Sequence, residues 1–324
     1  MAYVAGDTIL DDEYNNFVNS SSSPFGINHI GGTGSAQYGL GESSVATVSA
    51  GTTINASQWN ALFTAMDTVA SHTATTITST TTKSAGDTIA IIAALQTDLA
   101  SLASAVAAGS PLTTATTTSA ALQSPTSNST WTGVFTTEMT ATFPSANAMR
   151  HFFNAGGKVR VSASVIGSGL AGNGTGPGKD VSWTQIYAAL GNLDIASQSS
   201  TRSGSGETLT TNGLAIGFHD LTTSYQTIIT LSDNTYPYAS NNIKVEAKLN
   251  AAIGTATIIT VKMTATDGAS DFTYTAGNPE GSDSQSYRNG QHRHQLFTIN
   301  TTTASGLANA FSPSGTAIAS NTTS

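Results

Sequence analysis

Alternating hydrophobic and polar positions mark the second half of the chain as β-structure. Residues 158–165 carry a hydrophobic side chain at every second position, and residues 242–249 repeat the pattern with charged residues between, which we expect to face solvent. Residues 225–231 and 257–265 are two further runs rich in β-branched residues. Such runs are typical of half-buried strands. We therefore predict a mainly antiparallel, β-sandwich-like domain over residues 131–300, with one or two short helices.

Near the N-terminus, two segments share one pattern of Gly, Thr-Ile, an aromatic residue and Asn. Residues 6–15 (GDTILDDEYN) match residues 51–60 (GTTINASQWN). Each copy predicts a turn followed by a capped helix, and Asn55 and Gln58 have the spacing of a capping box. We expect two small modules whose anchors are Ile9, Tyr14, Ile54 and Trp59. A chance echo of a common helix start is the alternative.

A third hydrophobic pattern, at spacings of three and four residues, runs through residues 86–108. The residues that carry it are Ile92, Leu95, Leu99, Leu102 and Val106. This a/d seam covers about two heptads and predicts a short oligomeric coiled-coil neck. A single amphipathic helix packed on its own domain is the alternative, because two heptads fall short of the ~3–4 that define a coiled coil.

Composition narrows the class of protein. Only 9% of the 324 residues are charged, against roughly 25% in ordinary soluble domains. Eleven cationic residues cannot easily form the basic surface of a nucleic-acid-binding protein. The absence of Cys excludes disulfides and thiolate chemistry. A chain with few charged residues and many Ser, Thr and Gly residues is typical of β-structured shafts, adhesins and virion appendages.

We expect no membrane insertion, because no run approaches the ~18 apolar residues of a membrane helix. The first residues carry no cationic segment followed by an apolar one, so no secretory signal is predicted. Assembly in a host cytoplasm and release by lysis reconciles a surface-like composition with this N-terminus. A cell-surface adhesin exported by another route is the less simple alternative.

The repeated modules, with the Gly-rich stretch 25–39 between them, resemble the N-terminal region of structural proteins in marine tailed bacteriophages. Residues 143–157 and the strand that follows are similar to a segment recurring in the same group. The resemblance covers roughly residues 1–70 and 131–195. It implies a homo-oligomeric appendage, often a trimer, docked by its N-terminus to the tail, baseplate or neck.

The expected fold is therefore mixed: a helical N-terminal anchor and a short coiled-coil neck, followed by the β-rich domain. In chain order the segments are docking modules (1–70), a Thr-rich linker (71–85), the oligomerising helix (86–108), a second linker (109–130), the β-rich head (131–300) and a Thr/Ser-rich tail (301–324).

His292 and His294 are the best candidates for metal ligands. Residues two apart in a strand project to the same face, so a trimer would bring six imidazoles around one axis. Such a set suits an octahedral transition metal, and it resembles the histidine pairs that bind iron in some phage spike and fibre shafts. Two polar surface histidines, flanked by Gln291 and Gln295, are the favoured alternative. No other cofactor is predicted.

No pattern predicts catalysis. The loop 172–180 departs from a phosphate-binding loop because an aspartate follows its lysine. Four acids, Asp267, Asp271, Glu280 and Asp283, are scattered in a polar loop and fit no EF-hand. No nucleophile elbow is present. A glycan-degrading enzyme would need two carboxylates at one of two characteristic separations, which sequence alone does not reveal.

These observations predict a non-enzymatic virion structural protein, a homo-oligomeric tail fibre or neck/tail appendage. Its partners would be itself, other tail, neck or capsid proteins, and a host-surface glycan or protein; nucleic acid is not expected. A capsid decoration protein is the alternative, and a glycan-degrading tailspike is a weaker one.

Overall fold

A computed structural model describes most of the chain in nine ranges: 11–87, 89, 92–109, 116–127, 133–166, 179–234, 238–269, 291–301 and 314–320. The chain divides into two compact units. The helical unit comprises Met1–Thr117, Ser145–Gly157 and Asn300–Ser312. The β unit comprises Thr118–Pro144, Lys158–Ile299 and Pro313–Ser324.

Six helices are described. They are α1 (Asp11–Asn19), α2 (Ile27–Ile30), α3 (Ala56–Thr73), α4 (Ile92–Ala107), α5 (Ala146–Asn154) and α6 (Lys179–Leu190), with a 3-10 turn at Phe218–Asp220. None of the helices in the described ranges is long and apolar enough to cross a bilayer.

Eleven strands in the described ranges form two antiparallel sheets. They are β1 (Thr116–Thr118), β2 (Gly133–Thr142), β3 (Lys158–Ile166), β4 (Leu193–Ile195), β5 (Ser200–Arg202), β6 (Thr208–Asn212), β7 (Gln226–Ser232), β8 (Asn242–Leu249), β9 (Ile258–Asp267), β10 (Gln291–Thr301) and β11 (Ser314–Ser320). The five-stranded sheet has the order β1-β10-β3-β4-β5, and the six-stranded sheet has the order β11-β2-β9-β8-β7-β6. Mixed content with a mainly antiparallel β domain is confirmed.

Helix α3 begins as the sequence predicts. The Asn55 side chain accepts hydrogen bonds from the backbone of Ser57 and Gln58, and the Gln58 side chain accepts one from the Asn55 backbone. This capping box satisfies backbone N–H groups that the first turn of a helix leaves without a partner. Its apolar face, including Trp59 and Leu62, enters the core of the helical unit.

The seam of α4 enters the same core. Leu95 and Leu102 are fully buried, Leu99 and Val106 are at most 2% exposed, and Ile92 packs against the core partly buried. These side chains are therefore already covered by their own chain. This corrects the prediction of an oligomerising neck: α4 is the alternative, an amphipathic helix packed on its own domain.

Two predicted boundaries also shift. Ser145–Gly157, which contains α5, belongs to the helical unit rather than to the β-rich domain. The linker predicted over 71–85 begins inside α3, and its remainder is held by side chains of α3 and α4. The sequence did not reveal that α5 belongs to the helical unit or that the linker is held by helices, because the contacting residues are distant in the chain.

Candidate functional site

The matching aromatic residues of the two N-terminal modules pack against each other. The rings of Tyr14 and Trp59 meet edge to face with their centroids 5.3 Å apart, and the Tyr14 hydroxyl donates to the Gln58 carbonyl oxygen at 3.0 Å. Burial raises the pKa of Tyr14 to about 12. Both predicted anchors are thus buried inside the helical unit and join its modules. Ile54 packs partly buried against the same core, and Ile9 lies outside the described residues.

The asparagine that follows each aromatic residue holds a distant stretch of backbone. The Asn15 amide nitrogen donates to the Val48 carbonyl oxygen at 2.8 Å, and its amide oxygen accepts from the Val48 N–H at 2.8 Å. Asn60, the matching residue, does the same with Lys83 at 2.9 and 2.8 Å. We call this paired contact an asparagine clamp. The sequence repeat therefore corresponds to a repeated structural device.

Two more side chains hold distant backbone through paired hydrogen bonds. Asn28 clamps Val45 at 2.9 and 2.8 Å, and an Asp98 carboxylate oxygen accepts from the backbone of Thr78 and Ser79 at 2.9 and 2.8 Å. Two irregular stretches are thereby fixed to the helices. We call residues 43–49 the first extended segment and residues 75–84 the second extended segment.

Replacing either clamp residue of the modules, Asn15→Ala or Asn60→Ala, should lower the free energy of unfolding by about 1–3 kcal/mol. Each change leaves a backbone donor and a backbone acceptor without their partner. Denaturant unfolding followed by helical circular dichroism measures the effect. Asn16→Ala, on the exposed side of α1, is the matched control and should stay within about 0.5 kcal/mol of the parent. Equal stabilities of Asn15→Ala and Asn16→Ala would contradict a stabilising clamp.

Helix α5 holds the Gly-rich loop that follows α2. Arg150 donates to the carbonyl oxygens of Thr33 and Tyr38, and the Asn154 amide nitrogen lies 3.0 Å from the Tyr38 carbonyl oxygen. Burial lowers the pKa of Arg150. Gly39, at φ +91°, approaches Thr33 so closely that a Cβ would overlap its carbonyl oxygen. The two segments that carry the phage resemblance thus meet in the helical unit.

Three partly exposed aromatic rings lie beside this loop. Phe25 stacks on His29 at 4.6 Å between ring centroids, and Tyr38 lies 4.6 Å from Phe25 and 5.1 Å from His29. Burial, with a smaller contribution from the positive charge of Arg150, lowers the pKa of His29. The sequence did not single out this cluster, because its members are separated by turns rather than by a regular spacing.

The histidine pair lies inside the β unit. Both rings are fully buried. His292 Nδ1 is hydrogen-bonded to the Tyr187 hydroxyl at 2.6 Å, and His294 Nδ1 to the Thr137 hydroxyl at 2.8 Å. Burial lowers the pKa of His294 to about 3. The two rings do share a face of β10, as predicted, but that face is an interior one.

This placement corrects the histidine predictions. A trimer-axis metal site, like the alternative of two surface histidines, requires exposed rings, and neither ring is exposed. Within the described ranges, no group of three or more His, Cys, Asp or Glu side chains is arranged to hold a metal ion. His292 and His294 act here as buried hydrogen-bonding residues of the core.

The outer face of the six-stranded sheet carries a compact ion network. Lys262 and Lys244 lie 2.8 and 3.3 Å from the Glu246 carboxylate, and the ammonium groups of Lys248 and Lys262 lie 4.2 and 3.9 Å from the Tyr225 ring centroid. Burial opposes ionisation of Glu246, but the two lysines outweigh it and lower its pKa. Glu246, which the sequence pattern placed in solvent, is only 7% exposed. It remains ionised because the two lysines hold its pKa low.

The same network raises the pKa of Tyr225, through burial first and then through the Glu138 and Glu246 carboxylates. Glu138 and Glu246 lie opposite Lys262 on its two neighbouring strands. The carboxylates are thus separated by a lysine.

Most of the remaining candidate sites fall outside the described residues. These are residues 172–178 of the loop 172–180, and the acidic residues Asp271, Glu280 and Asp283. Asp267, the fourth of these acids, ends β9. Comparison of the chain with protein-family models, with curated proteins and with solved structures gave no match.

Proposed function

We propose that the chain is a non-enzymatic structural protein of a tailed-phage particle. It is a homo-oligomeric tail fibre or neck/tail appendage. The helical unit docks on the particle, and the β unit contacts the host surface or neighbouring virion proteins. The function is assembly and attachment.

The observation that carries this proposal is the uncharged exterior of the helical unit around α4. Asp98 is the one ionisable residue of α4, and it is buried. The outer side of the helix borders a shallow groove of about 570 Å³ lined by Thr97, Ala100, Ser101, Ser104, Ala105 and Ala108. Interface cores are depleted in charged residues, so such an exterior suits contact with other protein better than exposure as a monomer.

The β unit is proposed to be a β-sandwich. Thr137 belongs to β2 of the six-stranded sheet and His294 to β10 of the five-stranded sheet, and their side chains are 2.8 Å apart. Phe135 of β2 also lies 4.5 Å from the His294 ring. Side chains of the two sheets therefore meet in a shared interior, which is the arrangement of face-packed sheets.

Sedimentation velocity tests the homo-oligomer. The purified chain should sediment as a discrete oligomer across micromolar concentrations, and sedimentation as a monomer throughout that range would contradict the proposal. The predicted trimer came from the phage resemblance alone. The α4 seam and the histidine pair, which were expected at contacts between copies, both lie inside one chain. Sedimentation velocity therefore also determines how many copies of the chain form the oligomer.

A density map of the whole particle tests the location. We expect a small number of copies at the tail or neck, joined to the particle by the helical unit. Many copies on the head lattice would instead identify the decoration protein that the sequence left as the alternative.

A further inference from the structure

The second extended segment has the sequence of a β-strand but pairs with no strand in the described part of the chain. Residues 75–83 read TTITSTTTK, and β-branched residues favour strands. Among the described residues, none forms a backbone–backbone hydrogen bond with residues 76–82. Thr81 and Thr82 are exposed.

One edge of this segment is fixed to the helices. The N–H and the carbonyl of Lys83 both meet Asn60. The N–H groups of Thr78 and Ser79 both meet one Asp98 oxygen, so the regular alternation of a strand begins only after Thr78. In an extended backbone, the N–H and the carbonyl of one residue point to the same side, and successive residues point to opposite sides. Ser79 and Lys83 are four residues apart and both face the helices, in phase with that alternation. Between them, Thr80 and Thr82 therefore direct their backbone groups away from the helices.

We propose that this open edge pairs with the same edge of a second copy of the chain. The inference rests on the proposed homo-oligomer and names its contact. In the pairing, Thr81 of each copy lies at a two-fold axis, and Thr80 forms a hydrogen-bonded pair with Thr82 of the other copy. The result is a two-stranded antiparallel ribbon held by four backbone hydrogen bonds.

The chemistry of the segment favours a second copy as its partner. Residues 75–82 carry no charge, so no like charges oppose each other, and Thr–Thr pairs across strands are stabilising. The Lys83 side chains lie four residues apart along the ribbon, which is about 13 Å at ~3.3 Å per residue. That separation exceeds the ~8 Å Debye length in physiological salt, so their repulsion is screened.

A single cysteine tests the pairing, because the parent chain contains none. Facing residues of a non-hydrogen-bonded antiparallel pair have Cα atoms ~4.5 Å apart, which lies within the range of a disulfide. Under mild oxidation, Thr81→Cys should form a disulfide-linked dimer on non-reducing gels at least about tenfold faster than Thr47→Cys. Thr47 is the matched control, since it is exposed on the first extended segment.

A second pair of variants tests the hydrogen bonds. Thr80→Pro removes an outward N–H that bonds to no described residue, whereas Thr81→Pro removes an N–H on the helix side. Thr80→Pro should weaken dimerisation at least tenfold more than Thr81→Pro, with helical circular dichroism and melting temperature equal to those of the parent. Equal dimerisation of the two variants would overturn the proposed register.

The outcomes separate this inference from the proposed function. If the parent sediments as an oligomer but Thr81→Cys cross-links no faster than Thr47→Cys, the ribbon is wrong and the homo-oligomer stands. If the parent is a monomer and Thr81→Cys still cross-links selectively, the ribbon is supported as a weak contact and the stable appendage is contradicted. If the parent is a monomer and neither variant cross-links, both are wrong.

Discussion

Lowering the pH from 7 to 4 is expected to destabilise each unit by about 3 kcal/mol through one buried histidine alone. His72 lies in the helical unit and His294 in the β unit. Burial lowers the pKa of His72 to about 4, against a smaller opposing effect of a hydrogen bond with the Ala155 backbone. Burial likewise lowers the pKa of His294 to about 3.

The direction of this pH effect on stability follows from proton uptake on unfolding. An unfolded histidine takes up a proton near pH 6.5, whereas both folded residues remain neutral well below that value. The unfolded state therefore binds more protons between pH 6.5 and the folded pKa, and stability falls as the pH is lowered through that window. The loss approaches ~1.4 kcal/mol per pH unit for each histidine. Since domains are stable by only about 5–15 kcal/mol, this effect is large.

Within the helical unit the loss should be greater, because two further histidines contribute in the same direction. Burial lowers the pKa of His29 and of His151. The Thr33 carbonyl oxygen opposes that effect at His151, and the positive charge of Arg150 adds to it. We therefore expect the helical unit to lose stability more steeply with falling pH than the β unit.

Urea unfolding at several pH values, followed by circular dichroism, measures both slopes. His294→Asn is the informative variant, because it keeps a hydrogen-bond acceptor beside Thr137 but cannot titrate. Its β unit should be less stable than the parent at pH 7 and should lose less stability between pH 6.5 and 4. A parent whose stability is the same at pH 7 and pH 4 would contradict the neutral buried histidines.

The sequence predicted local features well where the signal is local. The capping box at Asn55 and Gln58 depends on a spacing of three residues, and the strands depend on alternation. The near-repeat also identified Asn15 and Asn60 as related positions. It could not identify what they bind, because the clamped residues lie 33 and 23 positions further along the chain.

Periodicity gives the buried side of an element but not the chain that buries it. The seam of α4 fits a partner helix from another subunit as well as the chain's own core, and the structure shows the second. The histidine pair illustrates the same limit for a strand. Gln291 and Gln295 suggested exposure, but residues one position away project to the opposite face. Leu296 lies two positions from His294, on the same face of the strand, and is fully buried. It was the neighbour that indicated burial.

Trp59→Ala is expected to lower the free energy of unfolding of the helical unit by about 3–5 kcal/mol. That is the usual cost of truncating a large buried aromatic side chain, and Trp59 is 3% exposed. Its ring centroid lies 5.3 Å from Tyr14, 6.4 Å from Phe17 and 6.0 Å from Phe63. The substitution therefore removes contacts that join α1 to α3.

The control separates a lost ring from a disturbed helix. Trp59→Phe keeps an aromatic ring in the core and should lose well under half of what Trp59→Ala loses, whereas helix propensity favours alanine over both. Urea unfolding followed by helical circular dichroism gives the values. If Trp59→Ala is within about 1 kcal/mol of the parent, Trp59 does not join the two modules. If Trp59→Ala unfolds the helical unit, Asn60 no longer holds Lys83. In a chain that also carries Trp59→Ala, Thr81→Cys should then cross-link no faster than Thr47→Cys.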